Sequence, residues 1–254
     1  MTELSEAERA LKEEFVRARG YWRPWTEALL KLNPAFLSLY ARYAGHAAER
    51  GPLPHRLCEL IYVALDGSAT HLFQSGLKLH MQLAVENGAS AREIVEVLQL
   101  ATAQGLDGCL AGASILVEEP AAAGHDVAFL STPLTGEQER LRAAYEAEFG
   151  DWPAAIEHLL RLDTGYFEQV LDLLTGARPV GGLSDKERAL ITLALNACFT
   201  ALNPEGVRLN IRRALRLGVG APEILQVLQM TAHLGVHACA VGLPQLADLI
   251  DRHS

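Results

Sequence analysis

The chain has 254 residues, of which half are hydrophobic and 6% are aromatic. This composition favours a packed helical protein over a β-sandwich, because sheets need many β-branched and aromatic residues. The net charge of -9, from 31 acidic and 22 basic residues, argues against a nucleic-acid partner, since phosphate binding needs clustered lysine and arginine.

The sequence also lacks the patterns of a secreted or membrane protein. Residues 1–20 are charged throughout, unlike a signal peptide or an anchor. The longest apolar runs are interrupted by polar residues well before they reach the length of a membrane span. The four cysteines, Cys58, Cys109, Cys198 and Cys239, form no CxxC pair, which is typical of a reducing compartment. We therefore expect a soluble, cytoplasmic protein with no membrane partner.

Helix start signals follow one another along the whole chain. A serine or threonine with glutamate or glutamine three residues later satisfies free N–H groups at a helix start. A glycine after a helix provides a stop. In chain order the start signals are Ser5-x-x-Glu8, Asn33-Pro34, Pro54, Ser90-x-x-Glu93, Thr135-x-x-Gln138, Asp163 and Ser184-x-x-Glu187, and the stops are Gly88 and Gly218. No segment shows a strand alternation, so the sequence predicts an all-α fold.

The second half of the chain repeats the first at a constant offset, which places Leu60 on Leu190. From there to residue 117, about 20 of roughly 58 positions are identical to those of the second half, without a gap. Such self-similarity indicates a duplicated structural unit. We therefore predict two tandem copies of one helical unit, at residues 1–124 and 131–254, joined by an alanine- and glycine-rich linker between residues 120 and 133.

Titratable residues distinguish the two copies, whereas the apolar positions are kept. The exchanges are Glu59 to Ala189, Asp66 to Asn196, His71 to Ala201 and His80 to Asn210, and in the other direction Ala103 to His233 and Asp107 to His237. A shared apolar scaffold explains packing in both copies. Polar groups present in only one copy suggest instead that each copy contributes different parts of one site.

The first copy places its polar groups close together along the chain. Glu59 and Asp66 are seven residues apart, on one face of a predicted helix. His80 lies on the next helix, and His71 lies in the turn between the two helices. Plainer roles remain open, since a lone histidine on such a helix is often a structural residue, a lone glutamate is often a solvated charge, and Asp66 can simply cap its turn.

The second copy contributes a histidine pair. His233 and His237, spaced i and i+4, are predicted to share one face of the last long helix. Our hypothesis is that a pseudo-twofold packing of the repeats brings this pair opposite the polar groups of the first copy. Histidines at this spacing also suit a metal ion, but no third ligand is evident, so the sequence predicts no metal site.

The segment from Leu57 to Ile94 resembles the carboxymuconolactone decarboxylase and alkylhydroperoxidase-D-like superfamily. That pattern has a glutamate before an apolar helix, a turn, a histidine on the following helix, and a Gly-Ala-(Ser/Thr) link to a long helix. The first copy keeps every part, with Glu59 and His80 at the positions of the glutamate and the histidine. The matching residues are Glu59, Gly76, His80, Gly88, Ala89, Ser90 and Glu93.

The resemblance implies a cofactor-independent acid–base enzyme that acts on a small lactone or related carboxylic acid, by decarboxylation or isomerisation. It assigns the proton transfer to His80, because an imidazole titrates near neutral pH, and it assigns the orientation of His80 to Glu59. The residues expected to bind the substrate are His71, Asp66, His233 and His237. The second copy lacks both the glutamate and the histidine, so we expect no complete site there.

Two alternative functions remain open from the sequence. The peroxidase branch of the superfamily carries a CxxC shortly before the histidine, because its chemistry needs a reactive dithiol. No cysteine stands in that turn here, so an antioxidant function would depend on Cys58 or Cys198. The other alternative is a non-catalytic ligand-binding or assembly protein. Single-repeat relatives usually form hexamers, so the resemblance also implies a homotrimer with a pseudo-hexameric arrangement.

Overall fold

The fold is described from a computed structural model, which covers residues 4–176 and 178–253. Within these ranges the chain forms fourteen α-helices and no β-strand, which confirms the predicted all-α class. The helices are α1 (Glu6–Arg19), α2 (Pro24–Leu32), α3 (Pro34–Arg50), α4 (His55–Gly67), α5 (Gln74–Glu86), α6 (Ala91–Thr102), α7 (Leu106–Ala122), α8 (Gly136–Phe149), α9 (Ala154–Leu162), α10 (Thr164–Thr175), α11 (Asp185–Ala197), α12 (Pro204–Arg216), α13 (Ala221–Thr231) and α14 (His237–His253).

The predicted capping signals begin these helices. At the start of α1, the Ser5 hydroxyl accepts from the Glu8 amide at 3.3 Å, and the Glu8 carboxylate accepts from the Ser5 amide at 2.8 Å. Thr135 and Gln138 make the same reciprocal pair before α8. Each of these pairs satisfies two N–H groups that a helix start leaves free. Gly88 and Gly218 follow α5 and α12 with φ of 90° and 77°, a left-handed conformation that glycine adopts without strain.

The duplication is visible in the order of the helices. Helices α1 to α7 recur as α8 to α14, and α5 and α12 begin and end at corresponding positions of the two copies. Helices α4 and α11 lie against each other at the centre, in a core that they share with α6 and α13. The two copies are therefore joined through one common interior.

The last helix of each copy packs on the other copy. Helix α14 lies against α2, and α7 lies against α9. As a result, Cys239 and Leu243 of α14 join the core of the first three helices, while Ala113 of α7 joins the core of α8 to α10. The domain limits 1–124 and 131–254 stay a prediction, and their outer ends, residues 1 and 254, lie outside the described residues.

The long helices were expected to be continuous, but both are interrupted. Short 3-10 turns at Ala103–Gly105 and Ala232–Val236 separate α6 from α7 and α13 from α14. Together these stretches, Ala91–Ala122 and Ala221–His253, are long and apolar enough to cross a membrane by length and composition alone. Their first helices contribute to the central core, as in a soluble helical protein. The outer faces of α7 and α14 carry exposed apolar side chains such as Leu116 and Leu246, which the predicted trimer would bury.

Candidate active site

Glu59 and His80 meet across the contact between α4 and α5. The Nδ1 atom of His80 lies 2.6 Å from Oε2 of Glu59, a short separation that indicates a hydrogen bond to a charged acceptor. The side chain of His80 is nearly buried, with a relative exposure of 6%. Because the carboxylate accepts from Nδ1–H, the neutral ring carries its free lone pair on Nε2. The pair therefore orients one basic nitrogen away from Glu59.

Aromatic side chains fix the plane of the His80 ring. Tyr62 stacks on it with a ring separation of 4.6 Å, and Tyr21 meets it edge-on at 6.4 Å. The Tyr62 hydroxyl is hydrogen-bonded to Nδ1 of His233 at 2.6 Å. His233 is buried, and burial, together with the charge of Arg19, lowers its pKa to about 3. His233 therefore stays neutral and positions Tyr62 from the second copy.

Asp66 lies in the last turn of α4 with a relative exposure of 1%. Its Oδ2 atom has no hydrogen-bond partner among the described residues and lies 3.9 Å from Nε2 of His80. Burial, and then the charge of Glu59, raises the pKa of Asp66 to about 8. Asp66 is therefore protonated at neutral pH. Gly76 allows this placement, because a Cβ atom there would collide with Oδ2.

His71 and His237 close the site from opposite copies. Nε2 of His71 lies 2.6 Å from Nδ1 of His237, and Phe73 stacks on the His237 ring at 4.0 Å. The other nitrogen of His237, Nε2, lies 3.7 Å from Oδ1 of Asp66. Burial lowers the pKa of His71, and burial with the neighbouring histidines lowers that of His237 to about 3. Both rings are therefore neutral, and one donates a hydrogen bond to the other.

The predicted pairing of His233 with His237 is wrong. Residues 232–236 form a 3-10 turn rather than α-helix, and at about three residues per turn positions i and i+4 no longer share a face. His233 contacts Tyr62, whereas His237 contacts His71.

A metal site could be formed only by a set of residues other than the pair His233 and His237. Asp66, His71 and His237 each offer one ligand atom within 4.8 Å of the others. However, His237 turns one nitrogen toward His71 and the other toward Asp66. The nitrogen that bonds to His71 is therefore engaged, which leaves the other nitrogen as the one that faces Asp66. As placed, His71 and His237 share a hydrogen bond, and Asp66 lies 3.7 Å from the free nitrogen of His237 without bonding to it.

A cavity of about 220 Å³ opens in front of this group. His80 and His237 line it, and they come from different copies. Glu59, Asp66, His71 and His233 are not among the lining residues and lie behind them. The full lining is Tyr21, Arg23, Pro24, Trp25, Phe73, Ser75, Gly76, Leu79, His80, Val236, His237 and Ala240. The structure thus brings the predicted residues into one cluster, with only two of them at the cavity surface.

Sequence reasoning missed three contributors to the site. Arg23 places a guanidinium at the cavity, where its Nη2 donates to the Ser75 carbonyl at 3.4 Å. Tyr21 lines the same cavity, and Tyr62 stacks on His80. The repeat comparison already carried the signal for all three, because the second copy has Asp151, Pro153 and Thr192 at the corresponding positions.

The thiols offer little for redox chemistry. Cys58 is buried, and burial, with the nearby charge of Glu59, raises its pKa to about 12. A thiol that stays protonated is a poor nucleophile. Cys198 is also buried, and its Sγ atom lies 3.0 Å from the Thr200 hydroxyl. Neither residue lines the cavity in front of His80.

Comparison with known proteins identifies the family. The model of the carboxymuconolactone decarboxylase family matches residues 34–118. A crystal structure from Burkholderia xenovorans, of a protein provisionally assigned as a gamma-carboxymuconolactone decarboxylase subunit, superposes with a TM-score of 0.91 at 30% sequence identity. The match covers 97% of this chain and 98% of that chain. No curated protein matches the sequence. The chain belongs to the carboxymuconolactone decarboxylase family.

Proposed function

We propose that the protein is a cofactor-independent lyase that decarboxylates a small lactone or related carboxylic acid, with His80 as the group that transfers the proton. Membership of the family supports this class of reaction. The arrangement around His80 supports the assignment of the residues.

One observation carries the proposal: three polar groups converge without bonding to one another. Nε2 of His80 and Nε2 of His237 lie 3.9 Å and 3.7 Å from the two carboxyl oxygens of Asp66. These separations are too long for hydrogen bonds. The opposite nitrogens of both rings are already held, by Glu59 and His71. A ligand oxygen in the cavity would therefore meet the free nitrogens of His80 and His237, while Asp66 lies behind them with a relative exposure of 1%.

The chemistry follows from these positions. Decarboxylation breaks the bond between the carboxyl carbon and its neighbour, and the electron pair moves into an adjacent unsaturated carbonyl group. The oxygen of the resulting dienolate becomes negatively charged, and the N–H of His237, which lines the cavity, can stabilise it. Nε2 of His80, which takes up a proton from water before the reaction, then passes it to carbon, while the carboxylate of Glu59 accepts from Nδ1–H. His80 recovers its proton from water after carbon dioxide and product leave.

The cavity walls favour a small anionic substrate. Arg23 supplies a positive charge at the cavity, which suits a carboxylate that is kept during the reaction. Trp25, Phe73 and Leu79 supply apolar contacts for a carbon skeleton. A volume of about 220 Å³ limits the substrate to a few ring or chain atoms with their substituents.

The test is turnover of gamma-carboxymuconolactone and of related lactone and keto acids, followed by carbon dioxide release. We expect the wild type to release carbon dioxide from at least one of them. His80→Asn should lower kcat by about 10²- to 10⁴-fold, and the fold should tolerate it because Asn210 occupies the corresponding position. His46→Asn, on the exposed side of α3, is the control and should keep the wild-type rate. An inactive wild type, or equal rates for all three proteins, would overturn the proposal.

A further inference from the structure

Three side chains beside the first cavity form a group of possible metal ligands that spans both copies. Asp66, His71 and His237 each place one ligand atom, a carboxylate oxygen or a ring nitrogen, within 4.8 Å of the other two. They reach this point from three separate places in the chain: the last turn of α4, the turn that follows it, and the first residue of α14. The packing of the two copies, rather than a local sequence motif, therefore assembles the group.

The distances within the group suit a transition-metal ion. Zinc binds histidine nitrogen and carboxylate oxygen at about 2.0–2.2 Å, so tetrahedral ligand atoms lie roughly 3.3–3.6 Å apart. Nε2 of His71 lies 2.6 Å from Nδ1 of His237, and Nε2 of His237 lies 3.7 Å from Oδ1 of Asp66. These separations fall on either side of the tetrahedral value. Side-chain movements of about 1 Å would place the three residues around one ion, which would replace the hydrogen bond between the two rings.

The carboxyl group of Asp66 is an independent indication of a cation. Its relative exposure is 1%, and Oδ2 has no hydrogen-bond partner among the described residues. In the described part of the chain its nearest basic neighbours are the rings of His80 and His237, at 3.9 Å and 3.7 Å, which is too far for a hydrogen bond. Burial of a polar group without a partner is costly. A divalent ion would supply that partner and release the proton that Asp66 otherwise keeps.

The second copy offers an internal comparison. A cavity of about 340 Å³ occupies the corresponding place there, and every residue that lines the first cavity, apart from Pro24, has its repeat counterpart in the lining of the second. Asn196, in the place of Asp66, donates from its amide to the Thr192 carbonyl at 2.8 Å, so this position is satisfied within α11. The helical scaffold thus forms without the three ligands. In pairs, the replacements are Asp66 to Asn196, His71 to Ala201 and His237 to Asp107.

We propose that Asp66, His71 and His237 bind one divalent transition-metal ion, which links the turn after α4 of the first copy to α14 of the second. Two imidazoles with one carboxylate favour Zn²⁺ or Co²⁺ over Mg²⁺ and Ca²⁺, which prefer oxygen ligands. Three protein ligands leave a fourth position for water. The reaction proposed above takes place without the ion, so the two uses of His237 are alternatives. Metal binding can therefore be measured whether or not lyase activity is found.

The probe is ZnCl₂, titrated by calorimetry into the full chain without an affinity tag, after treatment with EDTA and exchange into metal-free buffer. The wild type should bind one Zn²⁺ with a Kd of about 10 µM or lower. Saturating Zn²⁺ should raise Tm by a few degrees, because an ion that binds only the folded state stabilises it. CoCl₂ gives a second readout, since the visible absorption of bound Co²⁺ reports the geometry of its site.

Two variants each remove one ligand by installing the residue of the second copy. These are His71→Ala, which copies Ala201, and Asp66→Asn, which copies Asn196, so the fold should be retained. Each should weaken Zn²⁺ binding at least about 100-fold and abolish the rise in Tm. His46→Ala is the matched control, because it removes an exposed histidine of α3 and should bind Zn²⁺ like the wild type.

His80→Asn separates this proposal from the proposed reaction. The variant lacks the proton donor but keeps all three ligands, so it should bind Zn²⁺ like the wild type. Circular dichroism checks the fold of each variant. Absence of Zn²⁺ binding in the wild type, undiminished binding in either His71→Ala or Asp66→Asn, or loss of binding in His80→Asn would contradict the proposal. Undiminished binding in both ligand variants would place the ion at surface histidines or thiols instead.

Discussion

The two cavities share one backbone and differ almost completely in their contents. The first is lined by His80 and His237 and backed by packed aromatic rings, whereas the second, of about 340 Å³, combines apolar walls and amides with the arginines and carboxylates of its lining. Packing positions such as Leu60 and Leu190, or Val97 and Val227, are identical in the two copies. The difference shows that the helical scaffold does not require the polar groups of the first site. Those groups are therefore free to serve the proposed reaction, and each can be tested by exchanging it with its counterpart.

Removing the carboxylate partner of His80 should have the largest effect. Glu59→Ala copies Ala189 of the second copy and leaves Nδ1 of His80 without its acceptor. The ring then loses its fixed tautomer and the charge that stabilises its protonated form, so kcat should fall on the order of 10²- to 10³-fold, within the loss expected for His80→Asn. Initial rates at saturating substrate provide the measurement. Glu59→Gln is the matched variant that keeps the size of the side chain without its charge. A kcat within a few-fold of the wild type would assign Glu59 a structural role only.

A smaller loss of kcat is expected when His237, which the second copy contributes to the first cavity, is replaced. His237→Asp copies Asp107, removes the bond to His71 and brings a second carboxyl group close to Asp66. Loss of one stabilising donor should lower kcat on the order of 100-fold. The reciprocal control is Asp107→Asn, which changes only the second cavity and should leave kcat unchanged. Equal rates for the two variants would mean that α14 takes no part in the reaction.

The smallest effect is one of stability, and it concerns Asp66 and its counterpart Asn196. Since the pKa of Asp66 is raised to about 8 by burial, the folded state holds a proton that the unfolded chain releases near pH 4. The stability contributed by protonated Asp66 is complete below about pH 4 and is lost as the pH rises toward 8. Asp66→Asn should therefore gain stability relative to the wild type between pH 5 and pH 9, on the order of 1–3 kcal/mol.

Urea unfolding followed by circular dichroism at the two pH values measures this difference. Asp248→Asn, on the exposed side of α14, is the control and should show the same pH dependence as the wild type. A parallel response of wild type and Asp66→Asn would indicate that Asp66 is charged in the folded protein.

Local signals in the sequence predicted the parts of the fold that depend on neighbouring residues. The pairs Ser5 with Glu8 and Thr135 with Gln138 begin α1 and α8 because a capping box needs only four consecutive residues. The repeat likewise predicted which helices correspond. The 3-10 turns before α7 and α14 were not predicted, because tertiary packing rather than local preference sets where a long apolar stretch is interrupted.

The sequence predicted the site residues through the positions at which the two copies differ. The exchange pattern identified His80, Glu59, Asp66, His71, His233 and His237, and all six lie in one cluster. Their contacts could not be deduced, because they depend on how the 3-10 turn before α14 and the first residue of α14 meet α4 and the turn after it, which joins opposite halves of the sequence. The same comparison shows that Tyr21, Arg23 and Tyr62 also differ between the two copies. The prediction considered only histidines and carboxylates, so it did not include these three residues.

The last helix of each copy packs on the other copy, and this arrangement determines which substitutions can affect which cavity. Helix α14 borders the first cavity and α7 borders the second. A substitution at a lining position of either helix therefore alters one cavity, and that cavity belongs to the opposite half of the chain. Deleting either half would leave the remaining cavity without a wall. The two halves thus depend on each other for their cavity walls, while each cavity carries its own residues, as His80 in the first and Asn210 in the second.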